Sequence, residues 1–179
     1  YLNSPETSLF QKGQILYQGQ MTREIAHKTS QLIVVEGYRD VISLAEVGIS
    51  NAVAPLGTAL TEGQIRELWK FSTEPIICFD GDSAGMRAAA RASDRLLPIL
   101  EPGFSARFAS LPPGEDPDDI VRRGGANNFR ELLESSTGLS DFLWETDKSN
   151  GSLDTPEKQA AFFKRIRKRV GEIKNQTVR

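Results

Sequence analysis

The sequence predicts an α/β fold, with a mostly parallel four-stranded sheet flanked by helices and followed by a helical subdomain. Short apolar runs alternate four times with segments of helical spacing, which is typical of a parallel sheet with helices on its faces. Beyond residue 125 only helical patterns remain. We therefore divide the 179 residues into an N-terminal segment (1–30), a sheet domain (31–125) and a helical subdomain (126–179).

Each predicted strand is a short run of apolar or β-branched residues that ends in glycine, proline or acidic residues. Runs that are apolar almost throughout are typical of strands buried on both faces. The four predicted strands are QLIVVEG (31–37), NAVAPLG (51–57), EPIICFDGD (74–82) and FSARFASLP (104–112).

Helical spacing of apolar residues occurs between and after these strands. Residues 13–30 show only a weak helical pattern, and LPPGEDPDDIVRRGG (111–125) is interpreted as a loop. Thr61 is the expected N-cap of one helix. The predicted helices are DVISLAEVG (40–48), TEGQIRELWKF (61–71), SAGMRAAARASDRLLPIL (83–100), NNFRELLESS (127–136), LSDFLWETDKS (139–149) and TPEKQAAFFKRIRKRVGEI (155–173).

The composition limits the chemistry that this sequence can support. The single Cys78 excludes an internal disulfide and a cysteine zinc site, and the lone His27 removes most histidine-based catalysis. Any metal must therefore be held by oxygen ligands, which suits a hard cation such as Mg²⁺ or Mn²⁺. No apolar run approaches membrane-spanning length, so we expect no membrane contact. Tyr1 is not an initiator methionine, so we expect a segment of a longer protein.

The net charge of −2 is unevenly distributed. Residues 156–179 contain eight basic and two acidic residues, a net charge of +6, which leaves −8 for residues 1–155. The run KRIRKR (164–169) lies in this basic part. We interpret it as a solvated helix face or a contact with another domain, with contact to a template nucleic acid as the alternative.

Carboxylates cluster at the predicted ends of three strands. Glu36 ends the first strand, Asp80 and Asp82 end the third, and the acids of loop 111–125 follow the fourth. In an open α/β sheet, ligands bind at the carboxyl ends of the strands. If these three strands are neighbours, their acids converge, and Asp40 joins them from the start of the next helix.

Two aspartates one residue apart repel each other unless they protonate or a positive charge lies between them. Divalent cations fit such a cluster, because Mg²⁺ takes one or two carboxylates per ion and completes its shell with substrate phosphates. Structural alternatives remain open for each motif. The DGD sequence forms turns readily, GEDPDD makes a good helix N-cap, and Glu36 can be a surface strand end.

Several motifs occur together in an order that resembles a known family. The stretches VVEGYRD, CFDGDSAG and LPPGEDPDDIV resemble the Toprim fold. With YLNSPET and VAPLGT added, the set is similar to the catalytic core of bacterial DnaG-type DNA primase. The resemblance is strong up to about Gly125 and weaker beyond it. It implies that the three parts of the chain are the end of the core's N-terminal subdomain, the Toprim subdomain and a truncated C-terminal helical subdomain.

The resemblance also implies roles for individual residues, matched motif by motif. The acidic metal and catalytic centre of the family maps onto Glu36, Asp80 and Asp82. Its further metal-binding carboxylates map onto Asp40, Asp116 and Asp118. The positions that handle template and incoming nucleotide map onto Asn3, Lys12 and Tyr38. Glu36 is either a direct ligand or a general base, and Asp119 is interpreted as a bystander.

The activity implied by the resemblance is that of a DNA-directed RNA polymerase of the primase type. Such an enzyme uses Mg²⁺ or Mn²⁺ and ribonucleoside triphosphates to make a short RNA primer on single-stranded DNA for replication. The resemblance further implies a bacterial cytoplasmic enzyme associated with the nucleoid. It also implies a zinc-binding domain and a domain for the replicative helicase, both outside this sequence.

The sequence departs from the family pattern at Ser83 and Met86, where primases often have basic residues, and Arg87 follows one step later. Two alternatives to the primase interpretation stay open. One is a Toprim nuclease or topoisomerase-type module that cleaves DNA. The other is a fragment that binds metal and nucleotide without activity of its own.

Overall fold

The computed structural model describes Thr7 and residues 11–56, 59–149 and 151–179. Within these ranges a six-stranded sheet lies between two layers of helices. The strands are β1 (Leu16–Tyr17), β2 (Ile33–Val34), β3 (Ala52–Pro55), β4 (Ile76–Phe79), β5 (Arg107–Ser110) and β6 (Thr137–Gly138). The helices are α1 (Gly19–Thr29), α2 (Tyr38–Glu46), α3 (Glu62–Trp69), α4 (Ser83–Leu96), α5 (Pro117–Glu134), α6 (Leu139–Ser149) and α7 (Pro156–Glu172).

The strands are arranged in the order β1-β3-β2-β4-β5-β6. The four central strands are parallel to one another, which confirms the predicted mostly parallel sheet. The edge strands β1 and β6 pair antiparallel with β3 and β5 and were not predicted. Each of them has only two residues, too few for the alternation or apolar run that identifies a strand in a sequence.

The central strands are buried on both faces. Neighbouring residues alternate between two cores, so that Val34 and Ile77 face α3, α4 and α6, whereas Ile33 and Ile76 face α2 and α5. This arrangement explains why the strands are apolar runs without polar alternation. Because β2, β4 and β5 are parallel neighbours, the loops that follow them leave the sheet at the same edge.

Helix α5 corrects the interpretation of residues 111–125 as a loop, because it begins at Pro117 and continues past Gly125. Asp116 caps its first turn, and proline suits that turn since the amide it lacks has no helical partner. Gly125, at φ 69° and ψ −173°, kinks the helix without ending it. The division of the chain at residue 125 stays a prediction, and α5 crosses that point while packing against α2.

The N-terminal segment is attached to the start of α3. Thr61 is the N-cap of this helix, as predicted, and its hydroxyl accepts a hydrogen bond from the Gln64 amide at 3.1 Å. The Gln64 side chain donates to the carbonyls of Lys12 and Ile15, at 3.0 and 2.9 Å. Leu16 of β1 lies beside Pro55, the last residue of β3. The 3-10 turn at Lys12–Gln14 therefore lies at the carboxyl edge of the parallel strands.

The last two helices pack on the sheet side that carries α4. Helix α6 contacts α4 and β5, and α7 contacts α6 and the 3-10 turn at Leu97–Ile99. The α6–α7 contact is formed by the buried Phe162 and by Asp147, which accepts a hydrogen bond from Arg169 at 2.5 Å. Among the described residues, no helix combines the length and the apolar character needed to cross a membrane.

Candidate metal centre

Asp80 follows β4 directly and lies at the centre of the acidic cluster. Its Oδ1 atom is buried and has no hydrogen-bond partner among the described residues. Burial above all, together with the carboxylates of Glu36, Asp40, Asp116 and Asp82, raises the pKa of Asp80 to about 7. Four of the predicted acids therefore meet at Asp80.

Glu36 and Asp40 flank Asp80 from the loop after β2 and from the first turn of α2. Burial and the Asp82 carboxylate raise the pKa of Glu36, while Arg91 and a hydrogen bond from the Asp80 amide oppose this shift. Asp40 is 8% exposed, and burial raises its pKa to about 6. The Gly37 amide donates to Asp40 Oδ2 at 3.0 Å, which holds this carboxyl in place.

Asp82 is the N-cap of α4. Its Oδ1 atom accepts hydrogen bonds from the amides of Ala84 and Gly85, at 2.8 and 2.7 Å. The N-terminus of the helix also favours a negative charge at this position. Asp82 therefore acts as a helix cap through Oδ1, a role that the sequence suggests for GEDPDD and not for DGD, and these two bonds leave Oδ2 available to a ligand.

The two predicted aspartates after β5 differ in their surroundings. Asp116 is the N-cap of α5, and its Oδ1 accepts from the Asp119 amide at 2.8 Å. Asp119 accepts from the Asp116 amide in return, which is a capping role and agrees with its interpretation as a bystander. A hydrogen bond from Ser43 and the ion pair with Arg122, at 2.8 Å, lower the pKa of Asp118. Asp118 is thus already engaged with these two partners.

Two glycines allow the loops of the centre to pack backbone against backbone. The Gly81 amide donates to the Glu115 carbonyl at 2.9 Å, and a Cβ on Gly81 would lie 2.0 Å from the Pro112 carbonyl oxygen. A Cβ on Gly85 would lie 2.2 Å from the Asp80 carbonyl oxygen. The glycines of DGDSAG therefore serve close packing and not only a turn.

The residues predicted to handle template and nucleotide are only partly described. Asn3 lies outside the described residues. Lys12 lies in the 3-10 turn at the carboxyl edge of the sheet and is largely buried. Tyr38 begins α2, immediately after the Glu36–Gly37 turn, and its ring centre is 5.9 Å from that of Tyr17. Lys12 and Tyr38 thus lie at the same edge as the acids.

The carboxylates converge without forming a finished ion site. In the part of the chain that the structure describes, no three acidic side chains are close enough to hold one metal ion as they stand. Nevertheless, the carboxylates of the cluster raise the pKa of Asp80, so they share one electrostatic environment. The unpartnered Asp80 Oδ1 and a donor set made entirely of oxygen atoms fit a hard divalent cation.

Two residues near the centre were missed by the sequence interpretation. Arg91 of α4 lowers the pKa of Glu36. The sequence departures at Ser83 and Met86 had left open whether α4 supplies a basic group near the acids. The spacing of four residues between Arg87 and Arg91, on one helix face, was the available signal. Glu115 pairs with Arg123, while its Oε2 atom is buried and has no partner among the described residues. Nothing in the sequence distinguishes Glu115 from its acidic neighbours.

Comparison with known proteins gives a consistent set of relatives. A Toprim domain matches residues 30–109. The DNA primase of Rickettsia felis is 38% identical over 179 residues, which are 100% of this chain and 30% of the relative. The DNA primase of Escherichia coli K12 is 40% identical over 179 residues, 100% of this chain and 31% of the relative. The chain thus spans about a third of the length of these curated relatives.

Solved structures agree with the sequence relatives. A DNA primase domain from Pseudomonas aeruginosa has a TM-score of 0.92 and 40% identity, covering 100% of this chain and 56% of that one. A DnaG primase catalytic domain bound to single-stranded DNA has a TM-score of 0.89 and 39% identity, covering 99% of this chain and 57% of that one.

A parallel sheet with carboxylates at the ends of its neighbouring strands defines the Toprim class of proteins, and residues 30–109 form such a domain. Toprim primases generally depend on a divalent metal. Within that class, the chain belongs to the bacterial DnaG-type primases, of which it is a segment that contains the Toprim domain.

Proposed function

We propose that this chain is the metal-binding part of a DNA primase catalytic core, which joins ribonucleotides into a short RNA primer on single-stranded DNA. The observation that carries the proposal is the buried Asp80 Oδ1 atom, without a partner among the described residues, in a group of converging acids. Because the chain spans about a third of its primase relatives, the activity is proposed for the longer enzyme.

Asp80, Glu36 and the second oxygen of Asp82 would hold a divalent cation, with Asp40 and Asp116 close enough to contribute charge. Asp118 would join only after leaving Arg122 and Ser43. Mg²⁺ and Mn²⁺ both suit these oxygen ligands. When bound, such an ion supplies charge that offsets the phosphate oxygens and lowers the pKa of the attacking hydroxyl.

The residues of the chain itself would orient and neutralise the substrates. The amides of α4 hold Asp82 in one orientation. Glu36, whose pKa is raised, can take the proton of the primer 3′-hydroxyl as a general base or can serve as a ligand. Arg91 provides a positive charge beside Glu36 for the triphosphate. Asn3, Lys12 and Tyr38 would contact template and nucleotide.

The partners of the longer enzyme are proposed from its family. They are a single-stranded DNA template, ribonucleoside triphosphates, the RNA primer and the replicative helicase, which would bind through a domain outside this chain. On the same grounds the longer enzyme would act in the bacterial cytoplasm, at the nucleoid during replication.

Manganese binding tests the centre directly. We expect the chain to bind Mn²⁺, measured by the loss of the free-ion electron paramagnetic resonance signal, and Asp80→Asn to weaken binding about tenfold or more, because it removes the central charged ligand. Asp154→Asn, an exposed change at the start of α7, is the matched control. In the full-length enzyme, Asp80→Asn should abolish primer synthesis. Unchanged Mn²⁺ affinity in Asp80→Asn would show that the cluster is not the metal centre.

The two alternative activities can be separated from primer synthesis in solution. The relatives reported above are primases, which supports neither DNA cleavage nor a topoisomerase. Incubation of the full-length enzyme with supercoiled plasmid and Mn²⁺ should leave the plasmid uncut. Primer synthesis by the 179-residue chain, compared with the full-length enzyme, tests whether the fragment only binds metal and nucleotide.

A further inference from the structure

The outward side of α7 carries a second feature that the acidic centre does not use. At about 100° per residue, Phe163, Lys164, Arg167 and Lys168 lie within an arc of about 140° of the helix. All four side chains are exposed. We call these four residues the basic face. The opposite side of the helix carries Phe162 and packs on α6.

Within the described part of the chain, some of the positive charges of α7 are held in ion pairs, and the others are not. On the packed side, Arg169 pairs with Asp147 at 2.5 Å and also with Asp94, and Arg165 lies 4.0 Å from Asp147. Near the start of the helix, Lys158 pairs with Asp154 at 2.8 Å.

On the basic face, by contrast, Lys164, Arg167 and Lys168 make no ion pair with any residue that the structure describes. Three of the eight basic residues of 156–179 therefore lie together on one face of α7. In the run KRIRKR these three cations are interspersed with Arg165 and Arg169, which face Asp147.

An aromatic ring lies among these cations. Phe163 is 49% exposed and is held by an edge contact with the buried Phe162, with ring centres 5.5 Å apart. Trp144 of α6 also contacts Phe162, at 4.8 Å, and is 42% exposed. Phe163 and Arg167 are four residues apart and so are neighbours on the helix surface. A half-exposed aromatic ring thus lies beside three cations that make no ion pair with a described residue.

We propose that the basic face binds single-stranded nucleic acid, with phosphates on Lys164, Arg167 and Lys168 and a base stacked on Phe163. Surfaces that bind single strands combine cations along the backbone with aromatic rings on which bases stack. An acidic peptide would neutralise the cations, but it gives no reason for an exposed ring among them. The inference rests on the proposed function only for the choice of a polynucleotide as partner.

The basic face is separate from the acidic centre. Asp82 begins α4 at the centre, and Asp94, which pairs with Arg169 of α7, lies about 18 Å further along the same helix. Binding at the basic face can therefore be measured without metal and without nucleotide. It would act as a second contact that retains the strand while the centre performs chemistry.

Fluorescence anisotropy with a labelled oligothymidylate about 20 nucleotides long, in EDTA and about 50 mM salt, tests the proposal. We expect the variant K164A/R167A/K168A to bind about tenfold or more weakly than wild type, with a salt dependence flatter by about 2 log units per log unit. The matched control K28A/R66A/R130A removes three exposed cations on α1, α3 and α5 and should change affinity by no more than about twofold.

Phe163→Ala tests the stacking contact separately from the charge. We expect about a five- to tenfold loss of affinity with an unchanged salt dependence, because no cation is removed. Circular dichroism of each variant checks that the fold is kept, which the exposure of all four side chains favours.

Three results would overturn the proposal. The first is equal affinity of wild type and K164A/R167A/K168A for the oligothymidylate. The second is an equal loss in the control variant, which would mean that net charge alone decides. The third is displacement of the strand by an equal concentration of polyglutamate, which would mean an acidic protein partner. K164A/R167A/K168A should keep the Mn²⁺ affinity of wild type, so failure of the metal centre and failure of the basic face are distinguishable.

Discussion

Asp80 is a single side chain whose surroundings destabilise the folded state when its carboxyl group is charged. Its Oδ1 atom is buried without a hydrogen-bond partner among the described residues, and four carboxylates surround it. A buried charge without a partner destabilises the folded state, and the residue responds by holding its proton more tightly. Sites of this kind are frequently functional because a ligand supplies the missing charge.

The first prediction concerns the pH dependence of stability without metal. The pKa of Asp80 is about 7 in the folded protein against 3.8 ordinarily, so its favourable contribution is complete below about pH 4 and is lost as the pH rises through 7. We expect Asp80→Asn to raise the free energy of unfolding at about pH 8 by about 1–2 kcal/mol, after discounting for the partial exposure of the group.

Urea denaturation in EDTA at about pH 5 and pH 8 measures this difference. The variant should gain most at the higher pH, and excess Mn²⁺ should stabilise wild type more than the variant. A variant that is less stable than wild type at both pH values would contradict the prediction.

At the scale of elements, the start of α4 is held against the loop before it through glycine. Gly85 lies where a Cβ would be 2.2 Å from the Asp80 carbonyl oxygen, a backbone atom that cannot rotate away. The same helix start uses its amides to hold Asp82. The contact between the end of β4 and the start of α4 therefore serves both the packing of the helix and the position of the acids.

The second prediction is that Gly85→Ala destabilises the protein by about 1–3 kcal/mol, because the added methyl group forces the loop and helix apart. It should also weaken Mn²⁺ binding, since Asp80 and Asp82 would move relative to each other. The matched control is Gly171→Ala in the last turn of α7, where a Cβ meets nothing within 4 Å.

That control should stabilise the protein by about 0.5–1 kcal/mol, because alanine favours the helix over glycine. Thermal unfolding of both variants checks the signs. Equal effects of the two substitutions would mean that the close approach at Gly85 does not matter.

At the scale of the whole molecule, α6 and α7 are joined to the sheet by an ion-pair network. Asp147 is 3% exposed and accepts from Arg169, which also pairs with Asp94 of α4. The network links the helices after residue 126 to the helix that begins at the acidic centre. Those helices are therefore packed on the same sheet as the Toprim residues.

The third prediction is that Asp147→Ala costs about 3 kcal/mol, because it leaves the Arg169 charge partly buried with one partner fewer. The exposed pair between Asp154 and Lys158 offers the matched control, and Asp154→Ala should leave the free energy of unfolding nearly unchanged. Chemical denaturation of both variants gives the comparison. If Asp147→Ala cost no more than the control, the network would not be what holds α7 in place.

Much of the fold and of the candidate site could be predicted because it depends on local pattern. The four parallel strands are apolar runs, and Thr61 caps α3 through neighbours three residues away. The acids at the ends of β2 and β4 meet because parallel neighbours end at one edge. The resemblance to the family was recognised from the motifs VVEGYRD, CFDGDSAG and LPPGEDPDDIV.

Tertiary structure alone decided the features that depend on partners distant in the sequence. Asp118 accepts a hydrogen bond from Ser43, Arg91 lowers the pKa of Glu36 from α4, and α5 continues past the kink at Gly125. The edge strands β1 and β6 exist only because longer strands offer them hydrogen bonds. Local propensity determines helices, strands and caps, whereas the choice of ion pairs and hydrogen bonds is made when remote segments pack together.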